Sequence, residues 1–216
     1  QGRKMSPKNK NVITVKELLK EGFTGRQIRF FLLRSYYRKP VTFSFKAMKD
    51  ACRGLSRIDV FKSDLNTCLY LRPEEEESRQ VKKGLCRLKR DFFAAMLDDL
   101  NTSAALGAVF SFIRKTNPMI GAGQINQKDA ESIIKTFKTF DSLLAVLDFT
   151  ITRKKLPQGA MELIEERERA RQEKRFHHAD QIRKTLLGLG IELMDTPRGP
   201  RLRFKGQSRP DSDKKV

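Results

Sequence analysis

The chain has no tryptophan, two histidines and three cysteines among its 216 residues. Cys52, Cys68 and Cys86 are widely spaced and form no CxxC pair. An odd, sparse set of this kind argues against a disulfide framework and fits a reducing, cytoplasmic setting. Cys52 and Cys68 fall in helical apolar patterns, where a buried and inert thiol is the expectation. His177 and His178 are adjacent, so they point to different sides of a helix, and with no partner ligand beside them no metal site is expected. No apolar run approaches the roughly 20 residues that span a bilayer, so no membrane partner is expected. Acidic residues are also scarce: 26 Asp and Glu stand against 45 Lys and Arg, giving a net charge of +19 and a pI near 10.1. That excess is larger than solubility requires and makes a polyanion, nucleic acid first, the expected partner.

What is present suffices for a fold. Hydrophobic residues make up a lean 38%, but Leu, Ile, Val and Phe recur throughout, so disorder is expected only at the ends. The length suits one large domain or two small ones. The opening QGRKMSPKNKNVIT sets Arg3, Lys4, Lys8 and Lys10 close together. It reads either as a frayed basic tail or as a loop that closes over phosphates.

The pattern is almost entirely helical. Thr14 opens TVKELLKEG with Glu17 completing a capping box and Gly22 at the stop. Thr24 starts a helix through Ile28, Phe31, Leu32 and Tyr36 that Pro40 ends, and Ser44 starts a third that continues toward Leu71. Pro73 and the four glutamates after it read as the next helix start, the carboxylates complementing the N-terminal dipole. From Val81 an amphipathic helix runs to DDLNTS; Asn101, Thr102 or Ser103 caps the following one, which ends before Pro118. GAGQINQ is a connector and not a phosphate cradle, since no strand precedes it and no GK[ST] follows. A sixth helix is expected over about 129–147.

FTITRKKLPQGA reads as a hinge. Beyond it, two short helices meet near Arg175–His177, with Leu163, Ile164, Ala170, Phe176, Ala179, Ile182 and Leu186 as their apolar seam. IELMDTPRGPRLRF alternates apolar and polar residues around a turn, a two-strand hairpin signal. The expected fold is therefore all-α: a bundle of about six helices over 14–149, preceded by a loop over 1–13. A linker over 150–157 leads to a small helical-hairpin module with a short β-ribbon over 158–205, and a disordered tail occupies 206–216.

Four motifs in order, KMS…NVITVKELL, IRFFLLRSYYRKPVTFS, FFAAMLDDLNTSAAL and LIEERERARQEKRFHHADQIRKTLLGLGIELMDTPRGPRLRF, resemble the C-terminal half of the cysteinyl-tRNA synthetases. The resemblance covers nearly the whole chain. It implies that the opening stretch is that family's KMSKS loop, with Lys4, Met5, Ser6 and Lys8 in nucleotide-binding positions over ATP. Lysines on a closing loop meet the charge that develops on a pyrophosphate leaving group. Here Pro7 stands where the family has its second lysine, Lys8 where it has a serine, and Lys10 where it usually has a glycine.

The family's nucleotide-binding Rossmann domain and its zinc site would precede Gln1, and nothing in these residues replaces them. No nucleophile–base pair or carboxylate cluster suited to acid–base work is present, so no catalytic residue is assigned. What the resemblance implies for this chain is tRNA binding, with cysteine tRNA as partner and a catalytic synthetase domain or subunit as a second partner. A standalone, non-catalytic tRNA-binding protein derived from such an enzyme is the alternative. In the family the bundle meets the inner side of the tRNA and the terminal module reads the anticodon. Arg26, Arg29, Arg34, Arg38 and Lys39 are the candidate phosphate contacts on the entry helix. On the ribbon Arg198, Arg201 and Arg203 are candidates, with Arg201 and Arg203 sharing a face. The other reading of these arginines is that their stems cover apolar surface. Asp195 either accepts from a guanine edge or caps the turn, the turn being favoured.

Overall fold

The computed structural model describes residues 5, 8, 11–150, 156–196 and 199–204. These residues form helices α1 (Val15–Lys20), α2 (Gly25–Leu33), α3 (Phe45–Leu71), α4 (Arg79–Leu97), α5 (Thr102–Gly121), α6 (Gln127–Leu144), α7 (Ala160–Gln172) and α8 (Phe176–Gly188). Strands β1 (Ile191–Thr196) and β2 (Gly199–Phe204) follow as an antiparallel pair, with Glu192 opposite Arg203 and Met194 opposite Arg201. The all-α bundle with a helical hairpin and ribbon is thus the observed architecture. The expected hinge at 151–155, the turn residues 197–198 and the tail lie outside the described residues.

Short polar side chains start most of these helices. Thr14, Thr24 and Asn126 each form a capping box, with Glu17, Gln27 and Asp129 as the reciprocal partners. Ser44, Ser78 and Asn101 each accept from a backbone N–H of the first turn of α3, α4 and α5. Such caps contribute about 1 kcal/mol apiece. Phenylalanines then close the core. Phe92 of α4 stacks on Phe140 of α6 with centroids 3.7 Å apart, while Phe137 packs against Phe149 at 4.6 Å and Phe61 of α3 at 5.6 Å. A Cβ on Gly84 would lie 3.3 Å from the Phe112 ring, so the missing side chain lets α4 lie close on α5.

Three expected boundaries move. Helix α2 stops at Leu33, and Tyr36 and Tyr37 lie in the turn beyond it. Pro118 sits inside α5 instead of after it; placed in the last turn, it removes only one backbone hydrogen bond. The largest change is at Pro73 and the four glutamates, which are not helical: α4 begins at Arg79 with Ser78 as its cap. Tertiary hydrogen bonds win there over the helix-start signal. The Pro73 carbonyl accepts from Gln127 N at 3.1 Å, the Glu76 carbonyl from Asn126 Nδ2 at 2.8 Å, and Ser78 N donates to Asp129 Oδ1 at 2.8 Å. This loop is stitched to the N-terminus of α6.

A second, smaller core gathers Ile164, Ile182, Leu186, Ile191, Leu193 and Leu202, and Tyr70 and Leu71 of α3 pack against it. Phe176, expected in that seam, is instead 58% exposed, because it opens α8 at the joint between the two helices.

Asp129, fully buried, supports two helix starts at once. Asp129→Ala should lower stability by about 1–3 kcal/mol, the cost of leaving buried N–H donors unpaired. A fall in the urea midpoint with an unchanged denaturant slope checks it; an unchanged midpoint would show that the stitch contributes nothing.

Candidate nucleic-acid interface

The arginines of α2 turn inward. Arg26 grips Asp59 of α3 with both guanidinium nitrogens, at 2.9 and 2.7 Å, and also donates to the carbonyls of Val146 at 2.7 Å and Leu147 at 3.2 Å. Arg29 donates to the Leu144 carbonyl at 2.8 Å. Both cations thus sit at the C-terminal end of α6, where Ala145 is left-handed and orphan carbonyls need donors. Arg26 as a phosphate contact is therefore corrected: its donors are already engaged within the fold. Arg29 has one edge engaged but remains exposed, and Arg34 and Lys39 are exposed.

Arg38 belongs to a corner built on Asp99. Tyr36 Oη donates to Asp99 Oδ2 at 2.5 Å, Tyr37 Oη donates to Oδ1 at 2.7 Å, and Arg38 pairs with the same carboxylate while lying 5.6 Å from the centre of the Tyr37 ring. The hydrogen bond from Tyr36, then those from Tyr37 and Arg38, hold the Asp99 carboxyl below its usual range. The backbone at Asp99 and Leu100 is left-handed, at φ 50° and 53°, a conformation that such side chains adopt only when their surroundings fix it. Thr102 Oγ1 secures the corner by donating to the Leu33 carbonyl at 2.8 Å.

The ribbon arginines are also corrected. Period two does place Arg201 and Arg203 on one face, but that face is covered. Arg201 reaches Asp64 of α3, with Nε and Nη2 each 2.7 Å from Oδ1, and Arg203 pairs across the strands with Glu192. Their side chains are only 13% and 11% exposed. Arg198 lies outside the described residues. Asp195 accepts from the fully buried Arg167 at 2.7 and 2.9 Å and from Arg171 at 2.6 Å, and the turn residues it is expected to cap lie outside the described residues.

Besides Arg34 and Lys39, further cations open to solvent lie elsewhere. Between Arg79 and Arg90 the sequence holds six cations and no acid. In α4 the positions Val81, Leu85 and Leu88 are buried, and Arg79, Lys82, Lys83, Arg87, Lys89 and Arg90 cover the outer face. Of these, Arg90 pairs with Asp91; the other five carry no ion pair among the described residues. The apolar spacing of α4 was evident, and reading its polar positions for sign would have exposed this face. A second group lies at the α7–α8 joint, where the exposed Phe176 is flanked by Lys174, Arg175 and His177, all exposed. An aromatic ring among cations is a surface on which an unstacked base can lie.

Of the opening loop, Lys4 and Ser6 lie outside the described residues, while Met5 and Lys8 are exposed. Burial pushes the Cys68 thiol up to about 11, so it stays protonated and inert. No group of three metal-ligating side chains is found, and no helix is long and apolar enough to cross a membrane, among the described residues.

Removing Arg26 should act on stability. Arg26→Ala leaves Asp59 and two carbonyls without their donor, at about 1–3 kcal/mol, and a thermal midpoint equal to that of the parent would refute the assignment. Asp195 gives a pH signature. Burial alone would raise its carboxyl, but the hydrogen bond from Arg167 and the charges of Arg167, Arg171 and Arg183 outweigh that and hold it below its ordinary 3.8. Because the folded value lies below the unfolded one, this stabilisation is present above about pH 3.8 and is lost as the pH falls further. Thermal midpoints measured down the acid range should show this loss in the parent chain and not in Asp195→Asn.

Two family models and several relatives match the chain. Residues 91–150 match the DALR domain, and residues 153–203 match the cysteinyl-tRNA ligase anticodon binding domain. The chain is 34% identical over 201 residues to the cysteine–tRNA ligase of Protochlamydia amoebophila, covering 93% of this chain and 41% of that protein. It is 34% identical over 206 residues to that of Chlamydia abortus and 32% over 207 residues to that of Leptospira interrogans, covering 94% of this chain and 42% and 43% of those proteins. The chain thus spans about two fifths of the length of these relatives. It carries a DALR domain followed by the anticodon binding domain of the cysteinyl-tRNA ligases, and it corresponds to the C-terminal part of those proteins.

Proposed function

We propose that the chain binds tRNA, cysteine tRNA in particular, with the outer face of α4 taking backbone phosphates and the α7–α8 joint meeting the anticodon. The observation that carries this reading is the acid-free run from Arg79 to Arg90, unpaired over most of its length, in a chain with an anticodon binding domain. Cations on one helix face position a nucleic acid through its phosphates without reading sequence, while an aromatic beside cations can take a splayed base. The division of labour follows: α4 supplies affinity, and the module supplies discrimination.

Joined to a nucleotide-binding catalytic domain, the chain serves ATP-dependent attachment of cysteine to its tRNA. In that assembly Lys4, Met5, Ser6 and Lys8 lie over the ATP phosphates, where lysines offset charge on the departing pyrophosphate. The reading of a standalone tRNA-binding protein has one observation in its favour, Pro7 in place of a loop lysine. Pyrophosphate exchange by the chain joined to a catalytic domain separates the two: exchange that Lys8→Ala slows supports the enzyme, and exchange indifferent to Lys4 and Lys8 supports the binder.

The direct test is titration against cysteine tRNA, an anticodon-swapped version and an unrelated tRNA at several salt concentrations. A preference for the native anticodon that persists as salt rises is expected. Lys83→Ala and Arg87→Ala should each weaken all three complexes similarly and reduce the salt slope by about 0.7–0.9 per lost phosphate contact. Phe176→Ala should reduce the preference more than the overall affinity. Equal binding of all three by the parent chain, or no effect of the α4 variants, would overturn the proposal.

A further inference from the structure

Among the described residues the module packs on the bundle mainly along α3. There β2 lies with its edge against α3, where Leu202 donates its backbone N–H to Thr67 Oγ1 at 3.0 Å and the Phe204 ring packs on Tyr70 with centroids 5.3 Å apart. The Asp64–Arg201 pair lies in this contact where it borders a cleft, its side chains 7% and 13% exposed. Beside that contact α7 faces α3 across this cleft of about 580 Å³, lined by Asp64 and Cys68 of α3, by Arg72 just beyond it, and by Met161, Glu165 and Arg169 of α7. A body attached along one edge beside an open cleft can swing about that edge unless something directional holds it. Apolar contacts tolerate many registers. A guanidinium closed on a buried carboxylate tolerates few, and such pairs set geometry more than they stabilise.

We propose that Asp64 and Arg201 are a positioning pair that fixes the angle between the anticodon-binding module and the bundle, so that α4 and the α7–α8 joint engage one RNA together. This rests on the tRNA-binding reading above. Two sites held at the correct separation bind far more tightly and selectively than the same sites on a loose joint, because the second contact becomes intramolecular. Arg201 then acts on RNA recognition through the angle and not by touching RNA.

The sign of one substitution separates the two roles. If Arg201 touched RNA, Asp64→Asn would free its guanidinium and remove a negative charge, and RNA would bind as well or more tightly. As a positioning pair, Asp64→Asn and Arg201→Gln should cost alike: the preference for the native anticodon falls about tenfold or more, while the salt slope, set by α4, stays that of the parent chain. The RNA-free measurement is a pulsed EPR distance between a spin label on the exposed Cys86 of α4 and one at Leu187→Cys on α8, with Cys52 and Cys68 replaced by alanine. The parent chain should give one narrow distance and both variants a broad distribution, with helical circular dichroism unchanged. Tighter RNA binding by Asp64→Asn, or a distance distribution as narrow as the parent's, would overturn the proposal. Failure of the tRNA-binding reading appears separately, as a parent chain that prefers no anticodon yet keeps its narrow distance.

Discussion

The shortage of acids decides how this molecule can use its charge. With 26 carboxylates against 45 cations, several acids are committed to particular cations, Asp59 to Arg26, Asp64 to Arg201, Asp195 to Arg167 and Arg171, and Glu192 to Arg203, while the fully buried Asp129 accepts from backbone N–H groups. Burial makes those commitments firm, since a cation withdrawn from water without a partner costs several kcal/mol. The cations that remain for a polyanion are the ones no acid can reach. Helix α4 meets that condition from Arg79 to Lys89, because the four glutamates that precede it are in an extended loop tied to the start of α6.

Most of the fold was legible in the sequence because its signals are local. Capping residues at Thr14, Thr24, Ser44 and Asn101, the apolar spacing of α4, and the alternation around TPRGP each specify their element from neighbours within a few residues. What was illegible depends on contacts distant in sequence. Pro73 and its glutamates carry a sound helix-start signal, and it loses to hydrogen bonds with residues about fifty positions away. Arg26 and Arg201 read as surface cations because nothing in the sequence tells that Asp59 and Asp64 lie opposite them. Period two gave the correct face for Arg201 and Arg203, but which body that face meets is a tertiary fact. The sign of the α4 face, by contrast, was available and needed only that the polar positions be weighed as well as the apolar ones.

The Asp99 corner shows the reverse case, a local strain made tolerable by distant partners. Two successive left-handed residues cost of order 1–3 kcal/mol each. Two tyrosines and an arginine from the turn after α2 and Thr102 from the start of α5 converge on the corner, and together they hold it. Beside the corner Leu97 and Leu100 face outward, at 87% and 58% exposure. The corner and the ribbon contact therefore differ in kind: one presents apolar side chains around a rigid turn, the other receives the ribbon through a buried ion pair.

That difference matters because salt acts unequally on the two kinds of charge. Exposed cations on α4 sit within reach of screening, with a Debye length of about 8 Å at physiological ionic strength. The Asp64–Arg201 pair, withdrawn from water, is screened much less. On the proposed interface, raising salt strips phosphate contacts from α4 while leaving the angle set by Asp64 and Arg201 in place. Under such conditions a complex that persists is held by base contacts presented at a fixed geometry, and its selectivity rises as its affinity falls. A chain whose module hung from a flexible joint would lose both together. On the proposed roles of α4 and of the Asp64–Arg201 pair, the placement of one carboxylate on the buried face of α3 is what would separate a selective reader of RNA from an indiscriminate one.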